Sequence, residues 1–213
     1  MKRTLAAFAT AILIWTQPAH AQSLLRDAET ESLFHDMSAP LVKAAGLNPR
    51  DVQFALVNDD SINAFVIGGQ TVYIHSGLIQ AADNANQVQG VIAHELGHIA
   101  DWHIVNAGAG TRPAMAIYLL SMVLGIAAAA AGAGEAGMGV MAAGQQAALG
   151  KFLAFTRTQE STADASAVKY LNAAGITGKG MMSFFKTLQQ QEYRYGLNNI
   201  DPFMQTHPLS GER

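Results

Sequence analysis

The sequence predicts an α+β domain that is mostly helical, with a small antiparallel β-sheet. Three observations carry this prediction. Apolar residues recur at helical spacing over most of the 213 residues. Short β-rich runs are confined to residues 52–75, around Gly68-Gly69. The stretch Val91-Ile92-Ala93-His94-Glu95-Leu96-Gly97-His98-Ile99-Ala100 is apolar and small on both sides of H-E-x-x-H, as a buried helix would be.

In chain order, residues 1–21 read as a secretory leader. Lys2 and Arg3 start it, Leu5 to Trp15 is an apolar run too short for a comfortable membrane span, and Ala19-His20-Ala21 is a small-residue cleavage box. Cleavage after Ala21 leaves one domain, residues 22–213; the competing reading is an uncleaved anchor. The chain has no Cys, hence no disulfide and no lipid-bearing Cys, and a bacterial periplasm is the expected destination. Losing the two leader cations takes the formal net charge from −3 to −5, which argues against a nucleic-acid partner.

Ser23 to Ala45 predicts an amphipathic helix that Pro40 kinks or splits and Gly46 ends. Val52 to Val57 suits a strand and residues 58–61 a turn. Residues 62–67 and 70–75 flank Gly68-Gly69 as a hairpin. One of its strands could form the edge of a substrate cleft, because extended peptides bind by adding a strand to a sheet. Asn63, Gly69, Gln70 and Val72 are then the candidate substrate-binding residues, and plain sheet structure is the rival reading. His75 reads as structural.

Asn86 to Ala107 is the expected helix for H-E-x-x-H. Residues 112–150 form an Ala/Gly-rich apolar insertion, nearly all apolar from Ala114 to Ala133 and broken by glycines at 132–139. A single membrane crossing would separate residues that must meet, so a helical hairpin is expected, either soluble or touching a membrane surface through 114–133. Phe155 to Ala174 continues as helix, with Gly175 after it. Thr177 to Tyr195 is a last helix with Met181, Phe184, Phe185 and Leu188 as core, and residues 198–202 form a loop.

Helix positions four apart lie about 40° apart around the axis, so His94 and His98 stack on one face and can share a zinc ion. Glu95 lies about 100° round, within reach of water at that ion. A catalytic zinc takes three protein ligands, so a third is needed elsewhere. Patterns with a Gly three residues and a His six residues beyond the second His fail, because those positions hold Asp101 and Ile104. His103 would point away from the metal face if the helix continued, and reads as structural or cleft-rim. Glu160 and Asp164 share a helix face downstream: Glu160 is the candidate third ligand, and Asp164 the carboxylate that orients a ligand histidine. Arg157, one turn earlier, could brace them. An exposed acidic pair and a helix with two incidental histidines are the bland alternatives.

Together, His94-Glu95-Leu96-Gly97-His98, Glu160 with Asp164, and Thr206-His207-Pro208 with Arg213 resemble the M48 family of zinc metallopeptidases. Asn63-Ala64-Phe65, Gly68-Gly69 and Ser76-Gly77-Leu78 look like the strand pair before that family's metal helix, so the resemblance runs from about Val52 to Arg213. It implies a zincin-like (gluzincin) peptidase domain with one Zn2+ per chain on His94, His98 and Glu160. Glu95 would be the general base and Asp164 the supporting acid. His207 would be a late histidine that caps zinc at rest or stabilises an oxyanion, with Arg213 as the matching arginine. The implied function is an exported zinc-dependent metalloendopeptidase acting on unfolded or misassembled polypeptides in envelope protein quality control. The alternative is a chaperone-like envelope assembly factor with a capped, largely non-catalytic zinc.

Overall fold

A computed structural model describes residues 23–195 and His207. The leader, the 198–202 loop and Arg213 lie outside the described residues. The described chain runs β1 (Ser23–Leu25), α1 (Ala28–Ala44), β2 (Gln53–Asn58), β3 (Ala64–Val66), β4 (Thr71–His75), α2 (Ser76–Ala81), α3 (Ala85–Ala100), α4 (Ala107–Ala130), α5 (Gly134–Ala173) and α6 (Lys179–Tyr195). The class is α+β and mostly helical, as the sequence predicts.

The sheet has four strands in the order β1-β2-β4-β3. The Gly68-Gly69 hairpin pairs β3 with β4 antiparallel, Phe65 opposite Tyr73. The sheet is nonetheless mixed rather than antiparallel throughout. β3 takes the outer edge, so β4 returns beside β2 in the same direction and pairs with it parallel, Phe54 opposite Val72. The expected helix start at Ser23 is also corrected. Leu24 and Leu25 pair with Val57 and Leu56 on β2, because Asp27 caps α1 only afterwards, accepting from the Glu29 N–H at 3.2 Å. Pro40 sits inside α1 without splitting it.

α3 runs through the centre of the core. Ile92 and Leu96 are fully buried among Leu41, Ile74, Leu78, Leu171 and Phe184. Two glycines let other helices close on it. A Cβ on Gly90 would fall 2.6 Å from Met181 Cα of α6, and one on Gly97 2.9 Å from Ala163 O of α5. The second contact is the one that matters for the site, since α5 carries Glu160.

α3 ends at Ala100, seven residues short of the expected end, with Asp101 as its C-cap. Trp102 adopts φ 57°, and the His103 and Trp102 N–H groups bond back to His98 O and Ile99 O at 3.1 and 3.2 Å. That pairing is a helix-ending Schellman arrangement that usually has Gly where Trp102 stands. The apolar insertion is a two-helix hairpin of α4 and α5. α5 continues without interruption from the hairpin through Glu160 and Asp164, 40 residues or about 60 Å of helix.

Candidate metal centre and active site

The buried face of α3 presents His94, Glu95 and His98, and α5 brings Glu160 to meet them. His94 Nε2 lies 3.1 Å from His98 Nε2 and 3.3 Å from Glu160 Oε2, and His98 Nε2 lies 3.4 Å from Glu160 Oε1. His207 enters from the far end of the chain. Its Nδ1 is 3.2 Å from His94 Nε2 and 3.2 Å from both Glu160 oxygens. Donor atoms of His94, His98, Glu160 and His207 all fall within 4.8 Å of one another.

The outer hydrogen bonds turn the nitrogens inward. His94 Nδ1 donates to Asp164 Oδ1 at 2.8 Å, which leaves Nε2 to face the cluster. His207 Nε2 donates to Ala64 O at 3.2 Å, which leaves Nδ1 facing it. His98 Nδ1 meets His103 Nδ1 at 3.0 Å. Lone pairs converging at this spacing repel unless a cation lies between them. A tetrahedral zinc with bonds of about 2.0–2.1 Å sets its donors about 3.3 Å apart, so the group fits that ion in chemistry and in spacing.

Electrostatics point the same way. His94 is pushed up to about 9: burial opposes this, but the bonds to Asp164 and Glu160 outweigh it. Burial would raise Glu160, yet bonds from His207, His94 and His98 hold it far below the usual carboxylate range. The cluster thus holds positive charge strongly. His207 is lowered, by burial first, and so stays a neutral donor. Burial pushes Glu95 up to about 7, against the pull of His98 and His94. Among the described residues neither Glu95 oxygen accepts a hydrogen bond, although both are buried. His207 Nε2 is 3.4 Å from Glu95 Oε1, which sets this carboxylate beside the cluster.

A cavity of about 580 Å³ opens over these groups, between β3 and α5. Asn63, Phe65 and Val66 wall one side, and Thr156 and Gln159 the other. The four candidate substrate residues do not lie together. Val72 is fully buried, and β4 is paired on both sides. Gly69 and Gln70 line a different hollow beside Trp102. Among the described residues, the strand with an unpaired edge at the cleft is β3, and Asn63 alone of the four candidates borders it. Arg157 is exposed, with no ion pair to Glu160 or Asp164 among the described residues. Arg213 lies outside them.

His103 lines the cavity, as its cleft-rim reading expects; what the sequence does not show is its contact with His98. The turn at Trp102 folds it back onto His98, and Gln159 Nε2 fixes it by donating to His103 O at 3.1 Å. No Gly marked that turn. His75 is structural in its contacts, with Nδ1 2.8 Å from Ser61 Oγ.

A family model described as Peptidase family M48 matches residues 25–213. The Beta-barrel assembly-enhancing protease of Escherichia coli (strain K12) is 27% identical over 190 residues, which cover 89% of this chain and 38% of that protein. Its namesake from Yersinia pestis is 32% identical over 163 residues, 75% of this chain and 32% of the relative. Metalloprotease LoiP of Escherichia coli (strain K12) is 28% identical over 170 residues, 78% and 62% respectively. The chain therefore spans roughly a third to two fifths of the length of the assembly-enhancing proteases it matches.

Proposed function

The chain belongs to peptidase family M48, and from that premise we propose that it is an exported zinc-dependent metalloendopeptidase of envelope protein quality control. The observation that carries the reading is the convergence of Glu160, from α5, on the imidazole pair of α3. His94, His98 and Glu160 would hold one zinc. Bound there, zinc would polarise the scissile carbonyl and acidify the attacking water.

The chain's own groups do the rest. Glu95 takes the proton of the attacking water and passes it to the leaving amine, a task suited to a buried carboxylate held near neutral pH. Asp164 keeps the His94 proton on Nδ1 and its Nε2 turned to the cluster. β3 offers main-chain groups to an extended polypeptide, Ala64 O among them. Unfolded or misassembled polypeptides are the proposed substrates, since main-chain pairing reads no particular side chain. The leader-like residues 1–21 support export to the periplasm. The same reading includes contact of residues 114–133 with a membrane surface, supported by their apolar composition.

His207 favours a second reading. Its Nδ1 sits where a fourth ligand would, and a zinc with four protein ligands is closed to substrate. A chaperone-like envelope assembly factor with capped zinc would look like this at rest. Purified protein decides between them. The peptidase reading expects about one zinc per chain and cleavage of casein that a chelator stops. A metal-free protein, or cleavage indifferent to chelator, defeats it. Bound zinc with no cleavage even in His207→Ala favours the assembly factor.

A further inference from the structure

The hairpin of α4 and α5 is built inside out for a protein in water. Its seam is made largely of small residues. A Cβ on Gly125 would fall 2.7 Å from Gly137 O, and one on Gly137 2.4 Å from Gly125 O; Gly144 abuts Ser121 just as closely. The large apolar side chains face outward instead: Leu120, Val123 and Ile126 are 60%, 64% and 60% exposed. A helix pair in water buries its large residues in the seam and shows polar ones outside. Helices in lipid do the reverse.

Charge follows the same pattern. From Pro113 to Gly150 the single charged side chain is Glu135, at the turn, and Arg112 and Lys151 bracket the run at its root. α4 spans about 36 Å, against about 30 Å of bilayer hydrocarbon, and is the one helix among the described residues long and apolar enough to cross a membrane. Exposed Trp102 and Val105 precede it, where an interfacial aromatic belongs.

We infer that the α4–α5 hairpin inserts into a lipid bilayer, with acyl chains around α4 and with Arg112 and Lys151 among anionic headgroups. The inference rests on the reading of residues 114–133 as a membrane contact and extends it from surface contact to insertion. It does not depend on peptidase activity. A second copy or a partner protein would cover one side of α4. Its apolar residues occupy the sides not turned to α5: at about 100° per residue, Tyr118, Leu119, Leu120 and Leu124 spread over about 240° around the axis. α5 is the wetter arm, with Gln145 and Gln146 exposed.

Insertion places the cleft. Ala107 of α4 and Thr156 of α5 line the cavity, each five residues or about 8 Å from Arg112 and Lys151. The opening would lie just above the headgroups, and the substrates it favours are polypeptide segments lying at the bilayer surface.

The chain lacks Cys, so one introduced thiol is a unique labelling site. The full chain, labelled at Val123→Cys with an environment-sensitive fluorophore, would be mixed with vesicles of phosphatidylethanolamine and phosphatidylglycerol, with Glu29→Cys as control. Insertion expects the Val123 probe to shift blue and to be quenched by lipid brominated in the acyl chain. The Glu29 probe should do neither, and binding should survive high salt. The triple variant Leu119→Gln/Val123→Gln/Ile126→Gln should lose vesicle partitioning by roughly tenfold or more, while its circular dichroism and its cleavage of a short soluble peptide stay unchanged. Binding that high salt removes, with an unshifted Val123 probe, overturns insertion and leaves surface contact standing. No binding at all overturns both. So does burial of the Val123 probe by self-association or by a protein partner without lipid.

Discussion

At the scale of single residues, the site divides into groups that would hold a cation and groups that would aim them. Glu95 belongs to neither, since its oxygens accept nothing in the buried cluster. Glu95→Gln should keep zinc and the fold yet lower turnover by several orders of magnitude. Metal analysis beside a cleavage assay checks this, and turnover near the parent level would remove Glu95 from its role as base. Asp164→Asn keeps the shape but loses the carboxylate on His94 Nδ1. Zinc affinity should weaken by about 10–100-fold, measured by competition with a chelating dye. His207→Ala should keep zinc and raise cleavage of casein, because it frees the fourth position and Ala64 O together. Loss of zinc from that variant would make His207 an obligatory ligand.

At the scale of elements, the cluster depends on how closely α5 lies on α3. Gly97 is the contact point, with Ala163 backbone within 2.9 Å of where a Cβ would go. Gly97→Ala should destabilise the protein by about 1–3 kcal/mol in denaturant melts. It should also weaken zinc binding, since Glu160 lies one turn from Ala163. Unchanged stability and affinity would show that α5 can retreat at no cost to the site. The turn after α3 is a second such element. It holds a tryptophan in the left-handed region and ties His103 to α5 through Gln159. A periodicity argument extends a helix until something breaks it, and Asp101-Trp102-His103 contains neither Gly nor Pro. The sequence therefore runs the helix on to Ala107, which leaves His103 a place at the cleft rim but not its contact with His98.

At the scale of the whole molecule, the site joins elements far apart in the chain: α3, α5, the edge of the sheet at Ala64, and His207. An ion at their junction would cross-link the fold. Chelation should therefore lower the melting temperature, by roughly 10 °C when zinc had been saturating. A melt insensitive to chelator would mean that the junction is held by packing alone.

The sequence alone determined the helix face that stacks His94 on His98, the pairing of Glu160 with Asp164, the Gly68-Gly69 hairpin and the apolar two-helix insertion. Each rests on periodicity or spacing within one element, and such patterns are written locally. The tertiary structure decided what depends on contacts between elements. Which of the two hairpin strands became the free edge, β3, was decided there, because sheet order is set by packing across strands. Glu160 reached the 4.8 Å cluster with His94, His98 and His207 because Gly97 lets α5 close on α3. No local pattern encodes that distance; it is fixed only when the core closes.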